Sequence, residues 1–139
     1  MKKIFLPLFS AVLFLASCTK DDSGFDGPSL NDIYGDFSIL DSLSASAATV
    51  DFSAGQQLTF SAEFSKNVNW KIAITGNTSG AVYTIEGFSR LVDATNAIWD
   101  GSATTLPMFR SEDCVAQLTI DGEDDTLTAP VAVLGTKVI

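Results

Sequence analysis

Beyond residue 36 the chain alternates between apolar and polar positions with a period of two. Leu58, Phe60, Ala62 and Phe64 alternate with Thr59, Ser61 and Glu63, and Val68, Trp70, Ile72 and Ile74 are set against Asn69, Lys71 and Thr75. Successive side chains of a strand point to opposite faces, so each run predicts a strand with one face buried. The polar trio Ser65-Lys66-Asn67 between them predicts a hairpin turn.

Further along, Gly76 to Gly80 reads as a loop and Ala81 to Ile85 as a strand. "EGFSR", Glu86 to Arg90, reads as another turn, and "TNAIW" as a short strand closed by the turn pair Asp100-Gly101. Cys114, Ala116, Leu118 and Ile120 share one side of the next strand, and "DGEDD" (Asp121 to Asp125) turns the chain. Leu127, Ala129, Val131 and Val133 share one side of the last strand. Pro130 has no N–H for a ladder, which places that strand at an edge or a bulge. "DFSIL" and "TVDF" are weaker strands, and nothing after Cys18 has helical periodicity. Seven or eight short strands about ten residues apart predict an all-β fold, two sheets packed face to face over about 100 residues.

The start of the chain follows another pattern. Lys2 and Lys3 precede an apolar run from Ile4 to Ala16, which is shorter than the roughly 20 residues of a membrane-spanning helix. Small residues and Cys18 follow, as in an export signal with a cleavage point. Leu15-Ala16-Ser17-Cys18 resembles the cleavage motif of bacterial lipoprotein signal peptides at every position. The resemblance implies that Cys18 is joined to diacylglycerol, becomes the first mature residue and holds the protein to a membrane through its acyl chains. Each buried methylene contributes about 0.8 kcal/mol, so two or three chains anchor stably. An ordinary secretory signal that contains a cysteine is the alternative. Lys20-Asp21-Asp22 resembles a surface-export signal used in one branch of Gram-negative bacteria, which implies the outer membrane and an outward-facing domain. Acids that merely keep the tether in water are the competing explanation.

Ser23 to Asp36 is rich in Gly, Ser, Asp and Pro and reads as a tether. The expected organisation is therefore a signal peptide over 1–17, lipidated cysteine and tether over 18–36, and a β-sandwich over 37–139. The chain ends on Val138-Ile139 directly after a strand, which leaves open a first module of a longer protein.

Charge narrows the function classes. The formal net charge is −9; loss of Lys2 and Lys3 with the signal leaves 6 basic against 17 acidic residues, a net −11. No basic stripe exists to neutralise phosphates, so nucleic acid is not an expected partner. The chain has no histidine, the commonest general base and metal ligand. It has no phosphate loop, Cys-rich cluster or nucleophile elbow, so no catalytic residue, cofactor or metal is expected.

The segment Trp70 to Ile120 resembles the immunoglobulin-like module of flagellar hook-capping proteins, which also occurs as a repeat in secreted surface proteins. It runs strand, Ser79-Gly80 turn, strand, Gly87-Phe88-Ser89 connection, and a strand closing with Trp99-Asp100-Gly101. "FRSEDCVAQL" departs from the family, which usually places Gly and an aromatic there. The resemblance implies an Ig-like β-sandwich and is silent on ligand.

Four features compete for a functional role. Trp99, Tyr83 and Phe88 are a candidate aromatic platform for sugar C–H groups, set against plain structural packing. Cys114 lies on an inward face as a small buried thiol. Asp121 to Asp125 offers carboxylates to calcium, or is a solvated hairpin tip. The 17 acids make chance pairs, so paired carboxylates are no signal of glycoside hydrolysis. The sequence thus leads to a non-enzymatic, lipid-anchored envelope protein, a stalk or a recognition module for extracellular glycan or another envelope protein. The alternatives are the N-terminal accessory module of a glycan-degrading surface enzyme, or a calcium-dependent adhesin.

Overall fold

The computed structural model describes residues 35–139, of which Asp36–Ile139 form one compact unit. The lipid-attachment, cleavage and export residues Leu15, Ala16, Ser17, Cys18, Lys20, Asp21 and Asp22 lie outside the described residues. The fold is all-β. Seven strands run in the order β1 (Ile39–Ala45), β2 (Thr49–Asp51), β3 (Leu58–Gly76), β4 (Val82–Val92), β5 (Ile98–Trp99), β6 (Asp113–Ile120) and β7 (Thr126–Gly135). A 3-10 turn, Phe52–Ala54, follows β2, with the Asp51 carboxylate accepting from the Ser53 N–H at its start.

The predicted hairpin at Ser65-Lys66-Asn67 does not form. Leu58 to Gly76 is one strand of 19 residues. The reason is parity: Leu58, Phe60, Ala62, Phe64, Trp70, Ile72 and Ile74 are all even-numbered and all buried, so the alternation keeps one phase through the polar trio. The trio has neither Gly nor Pro to turn the chain, and it takes up instead a register shift against β4 between Glu63 and Val68. The first part of β3 pairs with β1 and β5; the last part lies between β4 and β6.

β6 continues to β7, and β7 to β2, in the order β1-β3-β6-β7-β2. All pairs are antiparallel except β2 with β7, which is parallel. One strand can line a single core along 19 residues only by bending, with its even-numbered side chains inside the bend. The result is sandwich-like. The inward rows match across the ladder: Ile72 is opposite Ile85 on β4 and Leu118 on β6, and Cys114 is opposite Val131 on β7.

The predicted turn "EGFSR" is also a strand, the middle of β4. Gly87 is opposite Trp70, and a Cβ there would lie 2.5 Å from Trp70 Cζ2. The glycine is a notch for the indole rather than a turn residue. Gly76 to Gly80, Asp100-Gly101 and the Asp121–Asp125 segment do turn the chain, and the last joins β6 to β7. Pro130 lies in the half of β7 that β2 does not reach, so its missing N–H interrupts no ladder on that side.

Candidate functional site

The three aromatic residues expected to form a sugar platform are not brought together. Trp99 is fully buried, its ring packed edge-on against Phe52 and Phe109 at centroid distances of 4.7 and 4.8 Å. Its indole N–H donates to the Ser102 carbonyl at 2.9 Å, so its polar edge is satisfied internally. Tyr83 is opposite Ile74 and packs against the core from the inward face of β4. Phe88 is opposite Asn69 on the other face and 65% exposed. A sugar could meet Phe88, but not Trp99, and not all three rings at once.

The Trp99-Asp100-Gly101 motif is a structural corner. Asp100 accepts from the Ser102 N–H at 3.0 Å, and Lys137 Nζ donates to Asp100 Oδ2 at 2.6 Å and to Ser102 Oγ at 2.9 Å. The Lys137 hydrogen bond, helped by Ser102, holds the Asp100 carboxyl down at about 2. Gly101 has φ +91°, and a Cβ there would lie 2.6 Å from Phe52 Cγ. Both conditions require glycine.

A second polar cluster centres on Glu112, whose role the sequence does not signal. It lies one residue before β6 and is 9% exposed. Its Oε1 accepts the backbone N–H groups of Thr78 (2.7 Å) and Ser79 (2.8 Å), and its Oε2 accepts that of Arg110 (2.8 Å). Burial alone would raise its pKa. The hydrogen bonds from the Ser79 hydroxyl and from the backbone of Ser79, Arg110 and Thr78 outweigh it and hold the group at about 2. The carboxylate thus pins the β3–β4 turn to the start of β6. The only trace of this in the sequence is a lone Glu beside a strand start, which is no signal.

Asp51 and Asp93 have lowered pKa values, chiefly through side-chain hydrogen bonds from Ser53 and Thr95 respectively. Every carboxylate displaced in this way is therefore occupied in holding a turn. The Asp121–Asp125 acids are exposed, and among the described residues no three Asp, Glu, His or Cys side chains gather as metal ligands would. The Cys114 thiol is buried, and burial, reinforced by Glu112 and Asp113, pushes it up to about 12. Such a thiol is a poor nucleophile.

One open feature remains, and the predicted "EGFSR" turn had hidden it. Among the described residues the strand partner of β4 is β3, along one side. The start of its other side is closed: Thr84 N–H donates to Thr104 Oγ1 at 2.9 Å, and Thr104 N–H to the Val82 carbonyl at 2.8 Å. From Glu86 to Arg90 no strand among the described residues covers that side. Phe88, 65% exposed, lies within this stretch, and Leu91, 47% exposed, follows it. No family model, curated protein or solved structure matches the chain.

Proposed function

We propose that this protein is a non-enzymatic, lipid-anchored module of the bacterial cell envelope, an Ig-like stalk or recognition domain held at the outer membrane and facing outward. The non-catalytic part rests on one observation. Each carboxylate with a lowered pKa (Asp51, Asp93, Asp100, Glu112) is engaged by turn backbone, a hydroxyl or Lys137, and Cys114 is buried with a raised pKa. Perturbed groups mark active sites when they stand free in a cleft; here they close turns. The address rests on Leu15-Ala16-Ser17-Cys18 and Lys20-Asp21-Asp22. Seven strands over about 100 residues support the Ig-like reading of the domain.

Mass spectrometry of the protein from its own envelope tests the anchor. The expected product begins at Cys18 and carries the mass of two or three acyl chains. A product retaining Met1, or an unmodified thiol at position 18, refutes it. Protease treatment of intact cells tests the facing: an outward domain is cleaved without lysis, and an inward one is cut only after lysis.

A further inference from the structure

We propose that β4 is a self-association edge, at which a second copy of this chain adds its own β4 antiparallel, with Phe88 on the two-fold axis. The proposal does not depend on the lipid anchor. It starts from the backbone. Val82 and Thr84 direct their C=O and N–H groups away from β3, toward Thr104. The direction alternates along a strand, and β4 keeps one register against β3 from Val82 to Ser89. Glu86 and Phe88 therefore present their N–H and C=O groups to the open side, where an added strand would bond them, and Arg90 follows at the end of this register.

Side-chain chemistry selects a second copy in a single register. An antiparallel pair centred on Phe88 sets Glu86 of each copy opposite Arg90 of the other, twice over by symmetry. All four side chains lie on the outward face, together with the two exposed Phe88 rings. A slip of one residue would move the charges to opposite faces, and a slip of two toward the start of β4 would set Glu86 against Phe88 and Arg90 against Thr84, leaving both charges unpaired. The chain as a whole carries net −9, which repels copies of itself. The strip from Glu86 to Arg90 holds one acid and one base and is locally neutral, so close approach is least opposed there. Arg90 already bonds Glu63 at 2.7 Å. Its guanidinium has five donors and can serve a second carboxylate.

Crosslinking the full chain in detergent tests the pairing. In the proposed dimer, position 88 faces itself at a Cα separation of about 5.5 Å. The Phe88→Cys chain treated with a short bis-maleimide is expected to give several-fold more crosslinked dimer than the parent chain, which corrects for the native cysteines. It should likewise exceed the Thr128→Cys chain, whose substitution is exposed on β7, away from this edge. A mixture of Glu86→Cys and Arg90→Cys chains should crosslink more than Glu86→Cys alone, because positions 86 and 86 of the pair are about 13 Å apart along the strands. Charge gives a second handle. In the Phe88→Cys background, E86R should lower the yield several-fold and E86R/R90E should restore it. The proposal is overturned if Phe88→Cys gives no more dimer than Thr128→Cys. It is equally overturned if Glu86→Cys crosslinks to itself as well as to Arg90→Cys, or if Phe88→Cys is captured only by a different polypeptide.

Discussion

Replacing Glu112 by Gln removes a charge while keeping the shape of the side chain. The amide oxygen can still accept from Thr78 and Ser79, but its NH2 then faces the Arg110 N–H, donor against donor. The size of the loss follows from linkage. The folded pKa is about 2 against an ordinary 4.5, and each unit corresponds to about 1.4 kcal/mol, so the carboxylate contributes about 3 kcal/mol at neutral pH. Glu112 is 9% exposed, so solvent screening does not reduce this figure much. Because the folded value is the depressed one, the stabilisation is complete above about pH 4.5 and is lost as pH falls toward 2. About 2 kcal/mol of it has already gone at pH 3. Urea unfolding of the unit Asp36–Ile139, followed by tryptophan fluorescence from pH 7 to pH 3, reads the difference directly. Glu112→Gln should be less stable by about 3 kcal/mol at pH 7 and by about 1 kcal/mol at pH 3. Glu123→Gln, in the exposed β6–β7 turn, should track the parent at every pH. A Glu112→Gln deficit that is the same at both pH values, or below about 0.5 kcal/mol at pH 7, would refute the assignment of this carboxylate as a charged clamp.

Gly101→Ala should destabilise by about 2–5 kcal/mol, from a left-handed alanine and an added methyl against Phe52, measured by thermal or urea unfolding. Lys137→Met should let the Asp100 pKa rise from about 2 toward 3.8, as followed by NMR titration. Both partners are more than a third exposed, so the accompanying stability loss should stay below about 1 kcal/mol. Cys114 in the folded unit should resist thiol reagents at pH 8 and react at the rate of unfolding when urea is added. Rapid labelling without urea would show that the thiol is accessible.

The parts of the fold legible in the sequence were those governed by side-chain alternation. The inward row Cys114, Ala116, Leu118 and Ile120 is buried as the pattern predicts, and Asp100-Gly101 turns where expected. The length of β3 is hard to read because three polar residues interrupt the apolar side of an otherwise continuous even-numbered phase. The phase was the better guide, since a strand that turns back has no reason to keep it. The role of Gly87 is hidden because a glycine that admits a neighbouring indole looks, in one dimension, like one that bends the chain. Trp99 as a platform failed for a related reason. Its place beside a turn suggested solvent, while the rings of Phe52 and Phe109, distant in sequence, enclose it. Glu112 is invisible because Thr78 and Ser79 are more than 30 positions away and bond it largely through backbone N–H groups, which the sequence does not distinguish.

The continuity of β3 bears on how the domain can be cut and rebuilt. A protein whose two halves meet through a loop tolerates a nick or a grafted peptide at that loop, and each half can keep some order alone. Here the stretch at Lys66 resembles such a loop in composition but is a spine common to both halves, so a graft there should dismantle the whole domain. One at Glu123-Asp124, in the exposed β6–β7 turn, interrupts no strand and leaves the Glu112 cluster intact. Splitting or permuting this scaffold must begin at its true turns.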